Sequence, residues 1–259
     1  MQSNERKEYR LRPLWDAILD LYERFDAYCA KHKLRYYVTG GTLLGAVRHN
    51  GFIPWDDDFD VVMPRPDYTR FVTGWRSMPM ADCALRSFET DAQSGLLFGK
   101  LTDCRQDVQL RVERESGLRL NDGICIDVIP IDGMPKKPLW FYYWALKRST
   151  WRHGNSGALY WKILLRLLWR DHSPKAFQEW LASYDYDTSP CVEDYNANGR
   201  RFRARILSSQ SFANPVIHKF DRLYVPMPRE WDKFLRLIFG NDYMTLPPED
   251  RRRPSHQSL

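Results

Sequence analysis

Aspartates occur at alternate positions in the segment Pro54–Met63, PWDDDFDVVM. The apolar residues after Asp58 predict a buried strand, in which successive side chains point to opposite faces. Asp58 and Asp60 then share a face with Cα atoms roughly 6.5 Å apart, so both carboxylates can reach one cation. Asp56 shares that face if the extended conformation begins early enough, and Asp57 then points away. Because neighbouring carboxylates repel each other beside an apolar strand, we expect a hard divalent cation or hydrogen-bond donors to compensate.

A glycine pair precedes these aspartates at a predicted strand-to-helix turn. Tyr36–Val38 predicts a short strand that runs into Gly40, Gly41 and Thr42, and the apolar residues that follow predict one or two helical turns. Glycines at such a turn let the backbone approach a phosphate closely, and the first N–H groups of a helix favour an anion. The segment therefore predicts a phosphate cradle. Taken alone, a glycine pair is more often only a turn, and an aspartate run is more often a solvated loop.

A third carboxylate lies within the segment Ile124–Pro130, ICIDVIP, which predicts an almost wholly apolar strand. Placing Asp127 inside such a strand is costly unless the carboxylate meets a cation or a hydrogen-bonding partner. Asp127 is therefore a third candidate for the same site. The alternative is a carboxylate that backbone N–H groups satisfy. We expect Asp132, which follows the proline, to cap the next turn.

The turn, the helix and the Asp-x-Asp strand together form the pattern of the nucleotidyltransferase fold. Residues 40–68, GGTLLGAVRHNGFIPWDDDFDVVMPRPDY, closely resemble the LicD family, and residues 239–248, FGNDYMTLPP, resemble the ending of its members. The best-known members transfer phosphocholine from CDP-choline to bacterial surface glycans, and the animal relatives include fukutin-type phosphotransferases. The resemblance covers both ends of the chain and is weaker in the middle. It implies a phosphotransferase with a CDP-alcohol donor, CDP-choline in first place, and a glycan acceptor that is soluble or lipid-linked.

Phosphoryl transfer from a diphosphate donor depends mostly on positioning and electrostatic stabilisation, so we expect the carboxylates to hold a metal ion. Mg²⁺, with Mn²⁺ as the alternative, prefers one or two carboxylates plus substrate oxygens. Asp58 and Asp60 are the predicted ligands, with Asp56 and Asp127 as further candidates. We expect Asp58, Asp60 and Asp127 to be catalytic. Asp127 is either a third ligand or the base for the acceptor hydroxyl, and the sequence does not decide between these roles.

Cationic and aromatic residues around the motif are candidates for donor binding, together with Gly40, Gly41 and Thr42. We expect Arg48 and Lys100 to face the donor phosphates, although Arg48 could instead pair with a nearby aspartate and Lys100 could be an exposed strand-edge lysine. Trp55 could hold a trimethylammonium group through cation–π contacts or simply pack in the core.

Of two alternative functions, one uses the same carboxylates for catalysis and the other does not need them. A nucleotidyltransferase would attach a nucleotide to a small molecule and release pyrophosphate, whereas a phosphotransferase would release CMP. A catalytically dead binding module predicts the loss of a metal carboxylate, yet Asp58, Asp60 and Asp127 are all present. Ethanolamine, glycerol and ribitol phosphates remain alternatives to phosphocholine as the transferred group.

Composition agrees with an enzyme that handles anions. The chain has 259 residues, 43% of them hydrophobic and 28% charged, a net charge of +6 and a pI near 9.0. These values indicate a globular protein with an anionic partner, such as a nucleotide, a phosphorylated lipid or a membrane surface. Nucleic acid is the runner-up, but only Arg251–Arg253 supports it, and this run is too short.

The cysteines and the chain start indicate an intracellular protein. The five cysteines are scattered, with no C-x-x-C pair or zinc-ligand spacing, which favours reduced thiols. The first residues are charged, unlike a signal peptide, and no apolar stretch reaches the eighteen or so residues of a spanning helix. We therefore expect a cytoplasmic protein, with the inner face of the membrane as an alternative place of work.

The elements around the motif predict an α/β (α+β) fold, a nucleotidyltransferase-like mixed sheet flanked by helices with a helical C-terminal half. A long amphipathic helix over residues 6–32 is predicted by apolar residues at helical spacing, namely Leu11, Leu14, Trp15, Ile18, Leu21, Tyr22, Phe25 and Cys29. A further helix is predicted over 66–78, and strands over 83–88, 98–101 and 108–112. We expect a catalytic core over residues 1–135 and a helical, aromatic-rich subdomain over 136–259.

The predicted helices of the second half are 138–150, 157–170, 174–184, 191–203 and 229–239. Residues 138–170 interleave aromatic and leucine residues with six basic ones, which are Lys147, Arg148, Arg152, Lys162, Arg166 and Arg170. This composition is typical of a surface that lies on a membrane at the headgroup boundary. The alternative is that these aromatic residues pack the helical half against the sheet.

Overall fold

The computed structural model describes residues 3–91, 94, 96–134, 174–193 and 207–253. Within these ranges the helices are α1 (Ser3–His32), α2 (Gly40–His49), α3 (Arg65–Trp75), α4 (Gln106–Ser116), α5 (Pro174–Ala182) and α6 (Trp231–Phe239). The strands of the same ranges are β1 (Tyr37–Val38), β2 (Asp60–Pro64), β3 (Cys83–Arg86), β4 (Gly99–Asp103), β5 (Cys125–Met134), β6 (Cys191–Glu193), β7 (Val216–Phe220) and β8 (Leu223–Met227). The predicted mixed sheet with flanking helices is confirmed.

Six of the described strands form one mixed sheet in the order β1-β2-β5-β4-β3, with β6 also paired to β5. The β2 and β5 strands run parallel at its centre, and β1 and β4 flank them in antiparallel orientation. Strand β5 is long enough to pair with β2 and β4 through its first part and with β6 through its end. Strand β2 is wholly buried after Asp60, and β5 alternates between half-buried and buried residues up to Ile129 and is buried beyond it.

Helix α1 covers the sheet with the side chains that its 3.6-residue period predicts. All eight predicted core positions of this helix are at most 3% exposed. The rings of Phe25 and Phe71 on α3 meet with centroids 5.8 Å apart, so the two helices share one aromatic layer. Burial of this apolar face stabilises the packing of α1 on the sheet.

The strand predicted over residues 108–112 is wrong, because these residues lie in α4. Val108 and Val112 are 8% and 0% exposed, whereas Leu110 between them is 57% exposed. Buried positions four residues apart are typical of a helix, and the exposed Leu110 imitated a strand alternation. The helix ends at Gly117, whose φ of 71° is the left-handed conformation that favours glycine.

Helices and strands both occur in the described part of the C-terminal half. Helices α5 and α6 confirm the predictions over 174–184 and 229–239. The helix predicted over 191–203 is wrong at its start, where β6 pairs with the end of β5, and residues 194–203 lie outside the described ranges. The helices predicted over 138–150 and 157–170, and with them the membrane-facing segment 138–170, also lie outside these ranges.

The sequence analysis missed the β7–β8 hairpin. Its turn is Asp221-Arg222, with Asp221 at a φ of 54°, and Asp221 N–H donates to the Asn50 carbonyl over 2.6 Å. The hairpin thereby docks on the end of α2. Phe220 packs against Phe52 with centroids 4.9 Å apart, so residues of both halves share one core. A division of the chain at residue 135 stays a prediction.

Asp132 does not cap a turn, contrary to our expectation. It lies fully buried in β5 and accepts hydrogen bonds from Arg65 Nε and Nη2 over 2.6 and 2.7 Å. The two parallel contacts form a bidentate ion pair that joins α3 to the sheet. Each of the five cysteines is a free thiol. Among the described helices, none combines the length and the apolarity that crossing a bilayer needs.

Candidate active site

The aspartates of the motif lie where the chain enters β2. Asp57 is 3% exposed, whereas Asp56, Asp58 and Asp60 are half-buried. This alternation is the one that an extended backbone produces, and it extends the shared face upstream of β2. The Asp56 carbonyl accepts a hydrogen bond from Trp15 Nε1 over 2.8 Å, so α1 fixes the start of the aspartate run.

The sheet register places Asp127 beside this group. Asp60 on β2 pairs with Asp127 on β5, and Asp127 pairs in turn with Lys100 on β4. Because paired residues of neighbouring strands point to the same face, Asp60, Asp127 and Lys100 form a row across the sheet. Lys100 Nζ lies 3.1 Å from Asp127 Oδ1, and this ion pair offsets much of the desolvation free energy of a carboxylate in an apolar strand.

Lys100 is a buried cation, 8% exposed, and not an exposed strand-edge lysine. Burial acts to lower the pKa of Lys100, but Cys125, Asp127 and Asp122 together raise it, so the amine stays charged. Asp122 lies 3.7 Å from Lys100 Nζ. A small cavity is lined by Asp57, Asp58, Phe59, Lys100, Asp122, Cys125 and Asp127. Asp58 and the Lys100–Asp127 ion pair therefore face the same cavity.

The start of α2 lies directly against the carboxylates. Thr42 Oγ1 accepts a hydrogen bond from Asp60 N–H over 2.9 Å, and Thr39 N–H donates to the Asp60 carbonyl over 3.1 Å. A Cβ at Gly40, whose φ is +55°, would lie 2.9 Å from Asp60 Oδ2, and a Cβ at Gly41 would overlap Asp56 Oδ2. The left-handed backbone therefore favours glycine at residue 40, whereas a side chain at residue 41 would displace the end of the Asp56 side chain. Use of this turn as a phosphate cradle stays a prediction.

Negative charge is concentrated at this point. Burial raises the pKa of Asp56 well above its ordinary range, and the neighbouring Asp58, Asp60 and Asp57 act in the same direction. Mutual repulsion of neighbouring carboxylates favours either a shared proton or a bound cation. Oxygen donors of this kind suit Mg²⁺ or Mn²⁺.

Whether a metal ion fits these residues depends on how many protein side chains it needs as ligands. In the described part of the chain, no group of three or more His, Cys, Asp or Glu side chains is already arranged as a metal site. Mg²⁺ commonly uses only one or two carboxylates and completes its shell with water and substrate phosphate. The crowded pair of Asp58 and Asp60 beside Asp56 therefore fits such an ion, and a complete protein cage does not form.

Arg48 and Trp55 lie to one side of the aspartates, next to the C-terminal segment. Arg48 Nη1 donates to the Tyr243 carbonyl over 3.0 Å, and its Nε donates to His49 Nε2 over 2.9 Å. Burial and the charge of Arg252 lower the pKa of Arg48, while Asp56 raises it, so the guanidinium stands within electrostatic reach of both. Arg48 thus has His49 and Tyr243 as hydrogen-bond partners and Asp56 as an electrostatic neighbour.

Sequence reasoning missed Asp122, Cys125 and Arg252 as neighbours of the site. Burial raises the pKa of Cys125 to about 12, so its thiol remains protonated beside Lys100. The signal for Asp122 was its position in a turn that leads into β5, and the signal for Cys125 was its position two residues before Asp127, on the same face of the strand. For Arg252 there was no local signal, because only the tertiary fold brings it to Trp55.

Comparison with known proteins agrees with this geometry. Residues 33–145 match the family model described as LicD/FKTN/FKRP, nucleotidyltransferase domain. The chain is 28% identical over 277 aligned residues to the lipopolysaccharide cholinephosphotransferase LicD of Haemophilus influenzae, an alignment that covers 96% of this chain and 97% of the relative. Shorter similarities occur to uncharacterized proteins of Rickettsia.

The protein of Rickettsia typhi is 49% identical over 41 residues, which cover 16% of this chain and 13% of the relative. That of Rickettsia prowazekii is 38% identical over 66 residues, which cover 24% and 23% of the two chains. The segment matched to the family model spans the described elements from β1 to β5, which include the aspartates, the α2 turn and Lys100. Residues 33–145 therefore belong to the LicD/FKTN/FKRP family of nucleotidyltransferase domains.

Proposed function

We propose that this protein transfers a phospho-alcohol from a CDP-activated donor to a sugar hydroxyl of a surface glycan or its precursor. The observation that carries the proposal is the row of Asp60, Asp127 and Lys100 across the sheet, with the α2 start against Asp60. This row combines paired carboxylates with a buried cation, which suits the handling of a diphosphate. The choice of phosphocholine and of a lipopolysaccharide-like acceptor rests on the similarity to the Haemophilus protein.

In the proposed reaction the acceptor oxygen forms a bond to the phosphorus that carries the alcohol, and the bond from that phosphorus to CMP breaks. The hydroxyl proton passes to a carboxylate, for which Asp127 is the candidate, and CMP leaves with the bonding electrons. Lys100 then serves two purposes, since it holds Asp127 in place and lies near enough to the opening to attract a phosphate oxygen. Gly40, Gly41 and Arg48 remain the further candidates for the donor phosphates.

Asp58 and Asp60, with Asp56 or Asp127 as additional ligands, would hold Mg²⁺ or Mn²⁺. When bound, the ion would neutralise phosphate charge and stabilise the leaving group. A carboxylate that ligates a metal is a weak base, so Asp127 fills only one of its two candidate roles. Its ion pair with Lys100 uses one carboxylate oxygen, which leaves the other oxygen for the metal ion or for the acceptor hydroxyl.

The reaction product tests the proposal against its rival. The family description names a nucleotidyltransferase domain, so attachment of a nucleotide with release of pyrophosphate is the second candidate. The experiment is incubation with Mg²⁺ and a panel of CDP-choline, CDP-ethanolamine, CDP-glycerol and CDP-ribitol, scored for CMP release with and without a glycan acceptor. We expect CMP from CDP-choline and none from an Asp60→Asn variant. Pyrophosphate from CTP, with no CMP from any donor, would overturn the proposal.

The place of action also remains a proposal. A cytoplasmic enzyme that decorates surface glycans would often meet its acceptor on a lipid carrier, and the basic and aromatic segment 138–170 is the candidate membrane contact. Sedimentation with anionic liposomes, comparing the wild type with charge reversals at Lys147, Arg148 and Arg166, tests this contact. Binding that the reversals do not weaken would assign the segment to the protein core.

A further inference from the structure

The C-terminal segment returns to the candidate active site and is anchored there. The Tyr243 carbonyl accepts the Arg48 hydrogen bond, and Tyr243 OH donates to Asp232 Oδ1 on α6 over 2.6 Å. Tyr243 itself is 7% exposed and belongs to the hydrophobic core. The chain is therefore held against α2 at Tyr243, and the mostly exposed residues that follow lead to Arg252, which is half-buried.

Nine residues later the same segment places a guanidinium over an aromatic ring of the motif. Arg252 Cζ lies 5.5 Å from the centre of the Trp55 ring, and Arg252 Nε donates to the Pro247 carbonyl over 2.8 Å. The ring below and the carbonyl to one side fix the plane of the guanidinium. Trp55 immediately precedes Asp56, so the orientation of Arg252 is set by the motif itself.

Arg48 is bonded to the Tyr243 carbonyl and Arg252 lies on Trp55, so both cations lie where the C-terminal segment meets the aspartate motif. Burial lowers the pKa of Arg48, and the nearby charge of Arg252 lowers it further. Placing two cations together costs free energy that a bound anion would offset. Planar guanidinium groups also match the oxygen pairs of phosphates, which lysines do not.

We propose that Arg252, oriented by Trp55 and Pro247, and Arg48, anchored on Tyr243, form a diphosphate-binding subsite beside the aspartate motif. The identity of its natural ligand as the diphosphate of a CDP-alcohol rests on the proposed function, whereas the ligand chemistry does not. The subsite gives Trp55 a defined purpose, as the platform of an arginine, and assigns the C-terminal segment to donor binding.

The run Arg251-Arg252-Arg253 supplies its own matched controls. Arg251 and Arg253 are exposed, and Arg253 Nε donates to the Asp250 carbonyl over 2.8 Å. The probe is inorganic pyrophosphate, measured by calorimetry with the full-length protein at fixed ionic strength. We expect Arg252→Ala to weaken pyrophosphate binding at least tenfold, and Arg251→Ala and Arg253→Ala to change it less than twofold.

A second variant separates binding from folding. Arg252→Gln keeps an N–H donor for the Pro247 carbonyl but loses the charge, so we expect it to retain the wild-type melting temperature and still to bind pyrophosphate at least tenfold more weakly. Equal losses in all three alanine variants would show a general charge effect and overturn the subsite. Wild-type affinity in Arg252→Ala or Arg252→Gln, or no pyrophosphate binding by the wild type, would overturn it as well.

Failure of the subsite and failure of the proposed function are distinguishable. CMP release from CDP-choline by an Arg252→Ala variant with wild-type pyrophosphate affinity would remove the subsite and leave the transferase function in place. Conversely, a tenfold loss of pyrophosphate affinity in this variant supports the subsite even if no CDP-alcohol in the panel releases CMP.

Discussion

Asp60 and Asp127 stand directly opposite each other on the two parallel central strands of the sheet. Neighbouring parallel strands are about 4.8 Å apart, and paired residues share a face, so two segments distant in sequence contribute carboxylates to one place. Lys100 extends the row on the other side of Asp127. The arrangement gives each aspartate a different environment, since Asp60 contacts the start of α2 and Asp127 contacts a buried amine.

The first prediction concerns the two aspartates of the Asp-x-Asp motif. We expect Asp58→Asn and Asp60→Asn each to reduce transfer to less than about a tenth of the wild-type rate, a loss of at least about 1.4 kcal/mol of transition-state stabilisation. The metal-free variants should be as stable as the wild type or more stable, because the substitution relieves carboxylate repulsion. CMP release and thermal melts without added metal are the measurements.

Asp82→Asn is the control for this pair of variants, since Asp82 is exposed and its φ of 53° is a conformation that asparagine tolerates. It should leave the rate and the melting temperature unchanged. A rate above a tenth of wild type in either motif variant would show that its carboxylate is not needed for the ion.

The second prediction concerns Asp127. If Asp127 serves the acceptor hydroxyl, Asp127→Asn should lower kcat and leave the Mg²⁺ and donor affinities unchanged, whereas loss of a ligand should weaken both affinities together. In contrast to Asp60→Asn, this variant should also lose about 2 kcal/mol of stability, because Lys100 loses its charged partner in a buried place. Metal titration and denaturant unfolding measure the two effects. Wild-type behaviour in both would remove Asp127 from the site.

The alternation of apolar and charged residues was enough to predict the site strands. The Asp-x-Asp spacing and the lone carboxylate of ICIDVIP each predicted a strand, and both strands are central in the sheet, although β2 begins at Asp60 and Asp58 precedes it. The pairing of Asp60 with Asp127 could not be predicted, because register depends on which strands become neighbours. Helix α4 was predicted as a strand because the exposed Leu110, between Val108 and Val112, gave an alternating apolar pattern.

Long-range contacts account for the rest of what the sequence left open. The β7–β8 hairpin turns at Asp221-Arg222, which lacks the Asn-Gly or Asp-Gly signal of tight hairpins. Arg252 reaches Trp55 across almost the whole length of the chain, and no local pattern records such a contact. Asp132 resembled a turn cap because it follows a proline, but its buried partner, Arg65, lies on another element.

The third prediction uses the close approach of α2 to the aspartates. Gly41→Ala should displace the Asp56 carboxylate, because the new Cβ would overlap its Oδ2 atom. A side-chain end moves cheaply, so we expect at least a tenfold loss of transfer with little change in melting temperature. Gly74→Ala on α3 is the control, since its Cβ would meet only Tyr28 Oη at 3.7 Å. That change should preserve the rate and stabilise the helix by up to about 1 kcal/mol. Full activity of Gly41→Ala would contradict the close fit.

The fourth prediction concerns the buried Arg65–Asp132 pair. Arg65→Met should destabilise the protein by about 3–5 kcal/mol, because Asp132 is fully buried and would keep an uncompensated charge. The double variant Arg65→Met with Asp132→Leu should recover much of this loss. Arg236→Met on α6 breaks an exposed pair with Asp232 and should leave the stability close to that of the wild type. Urea unfolding measures all three, and a double variant no more stable than Arg65→Met would contradict the charge argument.

The fifth prediction concerns pH and His49, whose pKa burial and the charge of Arg48 lower to about 4. Its Nε2 accepts the Arg48 Nε hydrogen bond, which requires a neutral ring. In the unfolded chain a histidine has a pKa of about 6.5, so below that pH the unfolded state binds a proton that the folded state does not. The contribution of neutral His49 to the free energy of unfolding is therefore fully present above about pH 6.5 and is lost as the pH falls toward 4.

His49→Gln removes this proton uptake but keeps an oxygen that can accept from Arg48. We therefore expect the melting temperature of the wild type to fall more steeply than that of His49→Gln between pH 7 and pH 4.5, an interval set by these two pKa values. The same change at His218 on β7 controls for the loss of an imidazole elsewhere and should leave the wild-type slope in place. Parallel curves for the wild type and His49→Gln would show that His49 is protonated as readily in the folded protein as in the unfolded chain, and that Arg48 does not depend on a neutral partner.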